Sequence, residues 1–386
     1  MKKLFLALSC AVLTLSTVAC NNEEDMPTPV SGQQNTIEAS FPKGAKVKTL
    51  NVNVPDLQRT RAAEDANGLE YWSAFNNDTH DIKIRYAVYD NENHLFYSSD
   101  EAPEEVTTTT GSFNLKVPMP ETENGGCTIF VWADKLGKAG HDNYQGYRID
   151  WENMTVSMPM VAQNGALANL SKLGDAWGCE ADLNESTSNI TLQRKMSQII
   201  LATDEFELKS IAEQFGNNSL VCYYWFGKDG EDNSTRESGY VVDKWNWRTQ
   251  EITFSKRPQF ALMDCIPMAY TPFKFKDRTL YPILSAYYFT DWDKATGKTN
   301  TQHSINGMNT LYFSIKTGSI TQTNEGDFTK TIECTNSFCG SPNTRRVFYP
   351  KHYSEGEGGI FTSGNGEIQC NIDQDFLFTL GNKLDK

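Results

Sequence analysis

The chain is 386 residues long and carries 49 acidic against 35 basic side chains, a formal charge of -14. That length accommodates two domains with a substantial core in each. The acidic balance argues against nucleic acid and anionic lipid headgroups as partners.

In chain order, Lys2-Lys3 precede a short apolar run from Leu4 to Val18. The run is too short for an ordinary membrane span and matches a secretory signal. It closes on Leu15-Ser16-Thr17-Val18-Ala19-Cys20, which resembles the bacterial lipobox, whose cysteine is acylated and becomes the first residue of the mature protein. The resemblance implies a signal peptide over 1–19 and lipid on Cys20; the alternative is an ordinary signal with an incidental cysteine. Several acyl chains on one residue make a stable anchor, each buried methylene contributing about 0.8 kcal/mol. Residues 20–45 are polar, with Pro27, Pro29 and Gly32, and read as a flexible tether. Their acidic start, Asn21-Asn22-Glu23-Glu24-Asp25, resembles the export signal of Bacteroidetes surface lipoproteins, which implies an outer-membrane protein facing outward. No second long apolar run follows, so the body is expected to be soluble.

Alternation predicts the strands. Leu50, Val52 and Val54 alternate with polar residues over Lys48 to Val54, and a polar segment with Arg59 and Arg61 follows. Ile82, Ile84, Tyr86 and Val88 define a second strand that ends in a turn at Asp90-Asn91-Glu92-Asn93. Phe113, Leu115 and Val117 alternate again, and Cys127 to Ala133 is apolar on both faces, as a central strand would be. Asn189 to Gln193 and Gln198 to Thr203 are expected to complete a first β-sandwich. One helix is predicted, with Leu208, Ile211, Ala212 and Phe215 on one face, Asp204 as its cap and Gly216 as its stop. Strands then resume at Leu220 to Phe226, Tyr240 to Trp245, Glu251 to Phe254, Tyr281 to Thr290, Leu311 to Ile315, Thr329 to Glu333, Glu367 to Ile372 and Phe376 to Leu380. The expected fold is all-β: two tandem sandwiches, 46–204 and 205–386, with a short helix near their junction.

Several stretches together resemble the fimbrillin-like lipoproteins of Bacteroidales. Ile84-Arg85-Tyr86-Ala87-Val88-Tyr89-Asp90 resembles an early strand of the family's first domain, and Phe130-Val131-Trp132-Ala133 its central strand. Leu192-Gln193-Arg194-Lys195-Met196-Ser197-Gln198-Ile199 resembles the segment that closes that domain, with Lys195 where the family often has proline. Asn343-Thr344-Arg345-Arg346 and Gly359-Ile360-Phe361-Thr362-Ser363 resemble its final strands more loosely. The resemblance implies two transthyretin-like sandwiches, exported as a lipoprotein and built into surface pili or their caps and anchors. It also implies a mechanism: a trypsin-like protease cuts after an arginine beyond the first strand, that strand leaves with the lipid, and a strand from another pilin-like subunit fills the groove. Arg59 and Arg61 are the candidate cut sites, the alternative being two solvated arginines. Phe376 to Leu380 is either a donor strand or the last strand of the second domain.

Chemistry of other kinds finds little support. Seven of the nine cysteines remain once Cys10 leaves with the signal and Cys20 is acylated, so at least one thiol is free; Cys334 and Cys339 are the closest pair. There is no CxxC, no HExxH and no GxSxG, and nothing in sequence orients Cys339 and His352 as a thiol and base. Gly297-Lys298-Thr299 resembles the end of a P-loop, but Trp292 stands where the first glycine belongs. Asp229-Gly230-Glu231-Asp232-Asn233 lacks the ligand pattern of a calcium loop and reads as a turn. Neither enzymatic activity nor a cofactor or metal is expected. One rival function remains: Trp245 and Trp247, at i and i+2, face one way on a strand and as an exposed pair would stack on sugar rings. That reading makes the chain a glycan-binding lipoprotein of a polysaccharide-uptake system; the alternative for the pair is core packing. Under either function, ligands on host or bacterial surfaces are candidate partners.

Overall fold

The computed structural model describes residues 41–54, 80–99, 104–106, 112–121, 126–137, 146–157, 176–205, 220–228, 230–232, 238–256, 263–266, 272–289, 308–317, 328–335, 345–350 and 368–372. Over these residues the regular structure is β apart from single helical residues at Glu205 and Ser238. The expected helix from Leu208 to Phe215 lies outside the described residues, as does Phe376 to Leu380.

The first half supplies β1 (Lys46–Asn53), β2 (His80–Tyr89), β3 (Leu95–Ser98), β4 (Glu104–Val106), β5 (Ser112–Met119), β6 (Cys127–Gly137), β7 (Arg148–Asp150), β8 (Thr155–Ser157), β9 (Ala176–Leu183), β10 (Asn189–Thr191) and β11 (Gln193–Arg194). One sheet runs β10-β1-β5, and a second runs β11-β9-β6-β2-β3 with β4 also on β2. The two enclose an aliphatic core. Ile82, Ile84, Tyr86 and Val88 of β2 share it with Leu50, Val52, Leu115 and Val117, as period-two alternation requires. Alternate residues of the same strands face a second core: Ala87 and Tyr89 from β2, Phe130 and Trp132 from β6. That double burial explains the unbroken apolar run of β6, which lies between β2 and β9. The turn after β2 forms as expected, with Asn93 N–H donating to Asp90 O at 3.1 Å and Asn93 left-handed at φ 66.

The second half supplies β12 (Met196–Thr203), β13 (Leu220–Lys228), β14 (Val241–Asn246), β15 (Ile252–Ser255), β16 (Met263–Ile266), β17 (Phe273–Phe275), β18 (Arg278–Phe289), β19 (Met308–Thr317), β20 (Phe328–Thr335), β21 (Arg345–Pro350) and β22 (Ile368–Ile372). Its sheets run β17-β18-β12-β21-β22 and β16-β13-β19-β20. Here the structure corrects the sequence reading. Gln198 to Thr203, expected to help complete the first sandwich, lies in β12, which is hydrogen-bonded between β18 and β21 in the second half. The change of sheet falls at Lys195 and not at residue 204. All eight residues of β12 are buried, so its pattern carried no sign of which sheet it would join.

A further sheet crosses the halves: β15-β14-β8-β7, in which Trp245 pairs with Val156 and Asn246 with Thr155. The second core is shared in the same way, since Phe130, Trp132, Tyr147 and Trp151 from the first half pack with Trp245, Tyr288, Phe289 and Phe348 from the second. Pro42–Lys386 accordingly forms one compact unit.

Candidate strand-exchange groove

The strand whose departure the family mechanism requires is β1. A turn starts it: Ala45 N–H donates to Pro42 O at 3.1 Å, and Gly44 takes φ 87, a conformation that costs glycine nothing sterically. Leu50, Val52 and Val54 then point inward and are fully buried, while Val47 on the other face is 48% exposed. On one side β1 pairs antiparallel with β5 over its whole length, from Lys46 opposite Met119 to Asn53 opposite Ser112. On the other it pairs parallel with β10 at Asn51, Val52 and Asn53, extended by Leu192 N–H donating to Asn53 O at 2.8 Å.

The groove that holds β1 has Leu115 and Val117 on one wall, Ile190 and Leu192 on the other, and Ile84, Tyr86, Ile129 and Val131 in the same core. Burying three aliphatic side chains contributes about 5–9 kcal/mol, an upper bound because unfolded chains already bury some surface. Not all of the groove depends on β1. Tyr86 Oη donates to Lys116 O at 2.8 Å, which ties β5 to the opposite sheet. Behind β2 and β6, Arg85 donates through Nη2 to Asp134 Oδ1 at 2.8 Å and through Nη1 to Tyr147 O at 2.6 Å. Tyr147 N–H closes the set on Asp134 Oδ2 at 2.9 Å. The ion pair is buried, 6% and 0% exposed, and braces the two strands from the face away from β1.

Charge enters at the open end of the groove. Lys48 lies two residues before Leu50, and its Nζ donates to Asn184 O and Glu185 O, both at 2.6 Å. Lys46 Nζ reaches Glu185 Oε1 at 3.4 Å. The accepting turn is braced from within, Ser186 N–H and Thr187 N–H both donating to Asn184 Oδ1, at 2.9 and 3.2 Å. Sequence reasoning passed over Lys48. Its one signal was a cation in step with the apolar positions of a strand.

Of the residues singled out by sequence, Cys20, Arg59 and Arg61 lie outside the described residues. Trp245 and Trp247 come together, but in the shared core and not on a surface. Trp245 is 3% and Trp247 1% exposed. Trp247 stacks on Phe130 with ring centroids 4.1 Å apart and planes 6° from parallel, and Trp245 stacks on Phe289 at 5.8 Å. Sugar stacking needs an open ring face, so the glycan-stacking expectation is corrected: these indoles pack the core. Trp247 lies one residue beyond β14, in the turn that Arg248 ties to Glu180 at 2.7 Å.

In the acidic turn, Glu231 accepts from Tyr240 Oη at 2.7 Å and pairs with Lys256 at 3.1 Å. Those bonds pull its carboxyl pKa down to about 2. Among the described residues no group of three or more His, Cys, Asp or Glu could hold a metal ion, and no helix is long and apolar enough to cross a membrane.

No protein-family model matches the chain, and no curated protein does. Several solved structures are similar to it. A fimbrial anchor protein from Porphyromonas gingivalis is 13% identical with a TM-score of 0.34, over 85% of this chain and 98% of that one. A fimbrial assembly protein from Parabacteroides distasonis is 11% identical with a TM-score of 0.33, over 85% and 99%. A Bacteroides thetaiotaomicron protein, named provisionally as polysaccharide-binding, is 12% identical with a TM-score of 0.36, over 84% and 97%. At such identities and scores, function has to be argued from the chain's own residues.

Proposed function

We propose that this chain is a non-enzymatic surface lipoprotein of the fimbrillin-like kind, held in the outer membrane through lipid on Cys20. It joins a pilus, or an adhesive assembly at its base or tip, by exchanging β1 for a strand of another pilin-like subunit. The observation that carries the reading is β1 itself: an N-terminal strand wedged between β5 and β10, with three alternating apolar side chains in a groove. Residues 55–79, which follow it directly, contain Arg59 and Arg61. One cut there separates the lipid and β1 from the remaining chain. The loss of an exposed Trp245–Trp247 pair leaves the glycan-binding alternative without its site.

The mature N-terminus, read by mass spectrometry on protein from its native membrane and from shed assemblies, tests this. Acylated Cys20 is expected in the anchored form and a start at Thr60 or Ala62 in the assembled form. An R59A/R61A double variant is expected to stay uncut. A mature protein that starts elsewhere, without acyl chains, overturns the reading.

A further inference from the structure

We propose that the groove selects its occupant by charge as well as by shape: the strand that replaces β1 carries Lys or Arg two residues before the first of its three alternating apolar side chains. The inference rests on the strand-exchange reading and adds to it the chemistry of the partner.

Main-chain hydrogen bonds and aliphatic pockets accept many sequences, and alone they specify register weakly. The Asn184–Thr187 turn supplies what they lack. It holds Asn184 O and Glu185 O where both accept from one ammonium, that of Lys48. The turn keeps its shape through bonds that do not involve β1, from Ser186 and Thr187 to Asn184 Oδ1 and from Thr187 Oγ1 to Asp182 O at 2.9 Å. The two acceptors therefore persist when β1 leaves. Glu185, whose carboxylate now faces Lys46, adds negative charge at the same end. An occupant with Lys or Arg in step with its apolar residues bonds both carbonyls, Asn184 O in addition to the 3.2 Å bond it accepts from Thr187 N–H. A slip of two residues either moves the cation off them or, where a second lysine stands as Lys46 does in β1, drives the first into the apolar site of Leu50, and an acidic residue there is repelled.

The pattern in β1 is Lys48-Thr49-Leu50-Asn51-Val52-Asn53-Val54. The chain's own C-terminal stretch, Gln374-Asp375-Phe376-Leu377-Phe378-Thr379-Leu380, has the apolar spacing but places Gln374 at the cation's position. A different subunit with a basic residue there is the better occupant than a second copy of this chain offering that stretch.

The test uses the full mature chain cut after Arg59 or Arg61 and fluorescent peptides of residues 43–54. The unaltered and Lys48→Arg peptides are expected to enter alike. Lys48→Met should bind about fivefold more weakly and Lys48→Glu at least about twentyfold, with both gaps shrinking at high salt. A peptide of residues 372–382 should gain affinity on Gln374→Lys. Equal binding by all forms overturns the charge rule and leaves strand exchange standing. No binding by any peptide overturns both. In the uncut chain, Lys48→Met should speed amide exchange across β1 about fivefold and Lys48→Arg should not; unchanged rates overturn the pin itself.

Discussion

β1 and β12 are both eight residues long, and each opens its half of the described β structure. Each pairs antiparallel on one side, with β5 and β18, and parallel on the other, with β10 and β21. Their pairing is equivalent; their burial is not. β1 exposes Lys46, Val47 and Thr49 and buries one face, whereas every residue of β12 is buried. Ile199 and Leu201 enter the shared core, and Ile200 and Ala202 face a third cluster with Phe275, Leu280, Val347 and Tyr349. A strand of the first kind can leave and be replaced. One of the second kind takes two cores with it.

The sharpest way to break that contrast is to put the same charge in both strands. Leu201→Asp leaves an unpaired carboxylate in the shared core and should cost more than about 4 kcal/mol, enough to abolish a cooperative melting transition. Val52→Asp should free β1 while the near-ultraviolet circular dichroism of the tryptophan core persists. Loss of that signal in both variants would show that β1 is as integral as β12.

Next in size is the brace behind the groove. Asp134→Ala strands Arg85 in the interior and should cost about 3–5 kcal/mol, read as a fall in Tm. A change under about 1 kcal/mol would mean that the groove floor does not depend on it.

Smaller still, Val52→Ala should cost about 2 kcal/mol, expressed mainly as faster amide exchange in β1. Leu201→Ala should instead lower global stability by about 2–5 kcal/mol. Identical exchange profiles for the two variants would erase the distinction.

The last effect is a slope with pH. Burial pushes the phenols of Tyr89 and Tyr224 well above their ordinary value near 10. Both lie in the shared core, where Tyr89 Oη donates to Trp151 O at 2.8 Å. The unfolded chain loses these protons first as pH rises, so their contribution is intact below about pH 10 and falls away above it. Ionisation followed at 295 nm should leave a fraction of tyrosines silent until the circular dichroism collapses. Full titration of a still-folded chain would contradict their burial.

What could be read from sequence follows the same physics. β1 and β5 each bury one face, and their alternation showed it; β2 and β6 bury both, and of the two only β6, with its unbroken apolar run, announced a central place. β12 was legible as a strand but not by its neighbours, because double burial removes the alternation that points to a core. Thr155–Ser157 is too short to show any period, so the sheet that crosses the halves had no local signal. The exposure of Trp245 and Trp247 could not be read either, since a tryptophan at a strand end has the same sequence whether it faces sugar or Phe130. For the groove, the apolar positions were legible and Lys48 was not: its acceptors are backbone carbonyls, which no side-chain pattern encodes.

The placement of β12 also governs when the molecule can fold. Its parallel partner begins at Arg345, which aligns with Gln198 and follows it by more than a third of the chain. A polypeptide delivered N-terminus first can assemble the sheets around β1 once residue 194 has appeared. It must hold Phe130, Trp132 and Tyr147 unsealed until Trp245, Trp247 and Phe289 arrive. Contacts this distant in sequence make for slow folding. The interval during which these aromatic rings are wet is thus set by delivery of β14 and β18, and throughout it the half-made protein is open to aggregation.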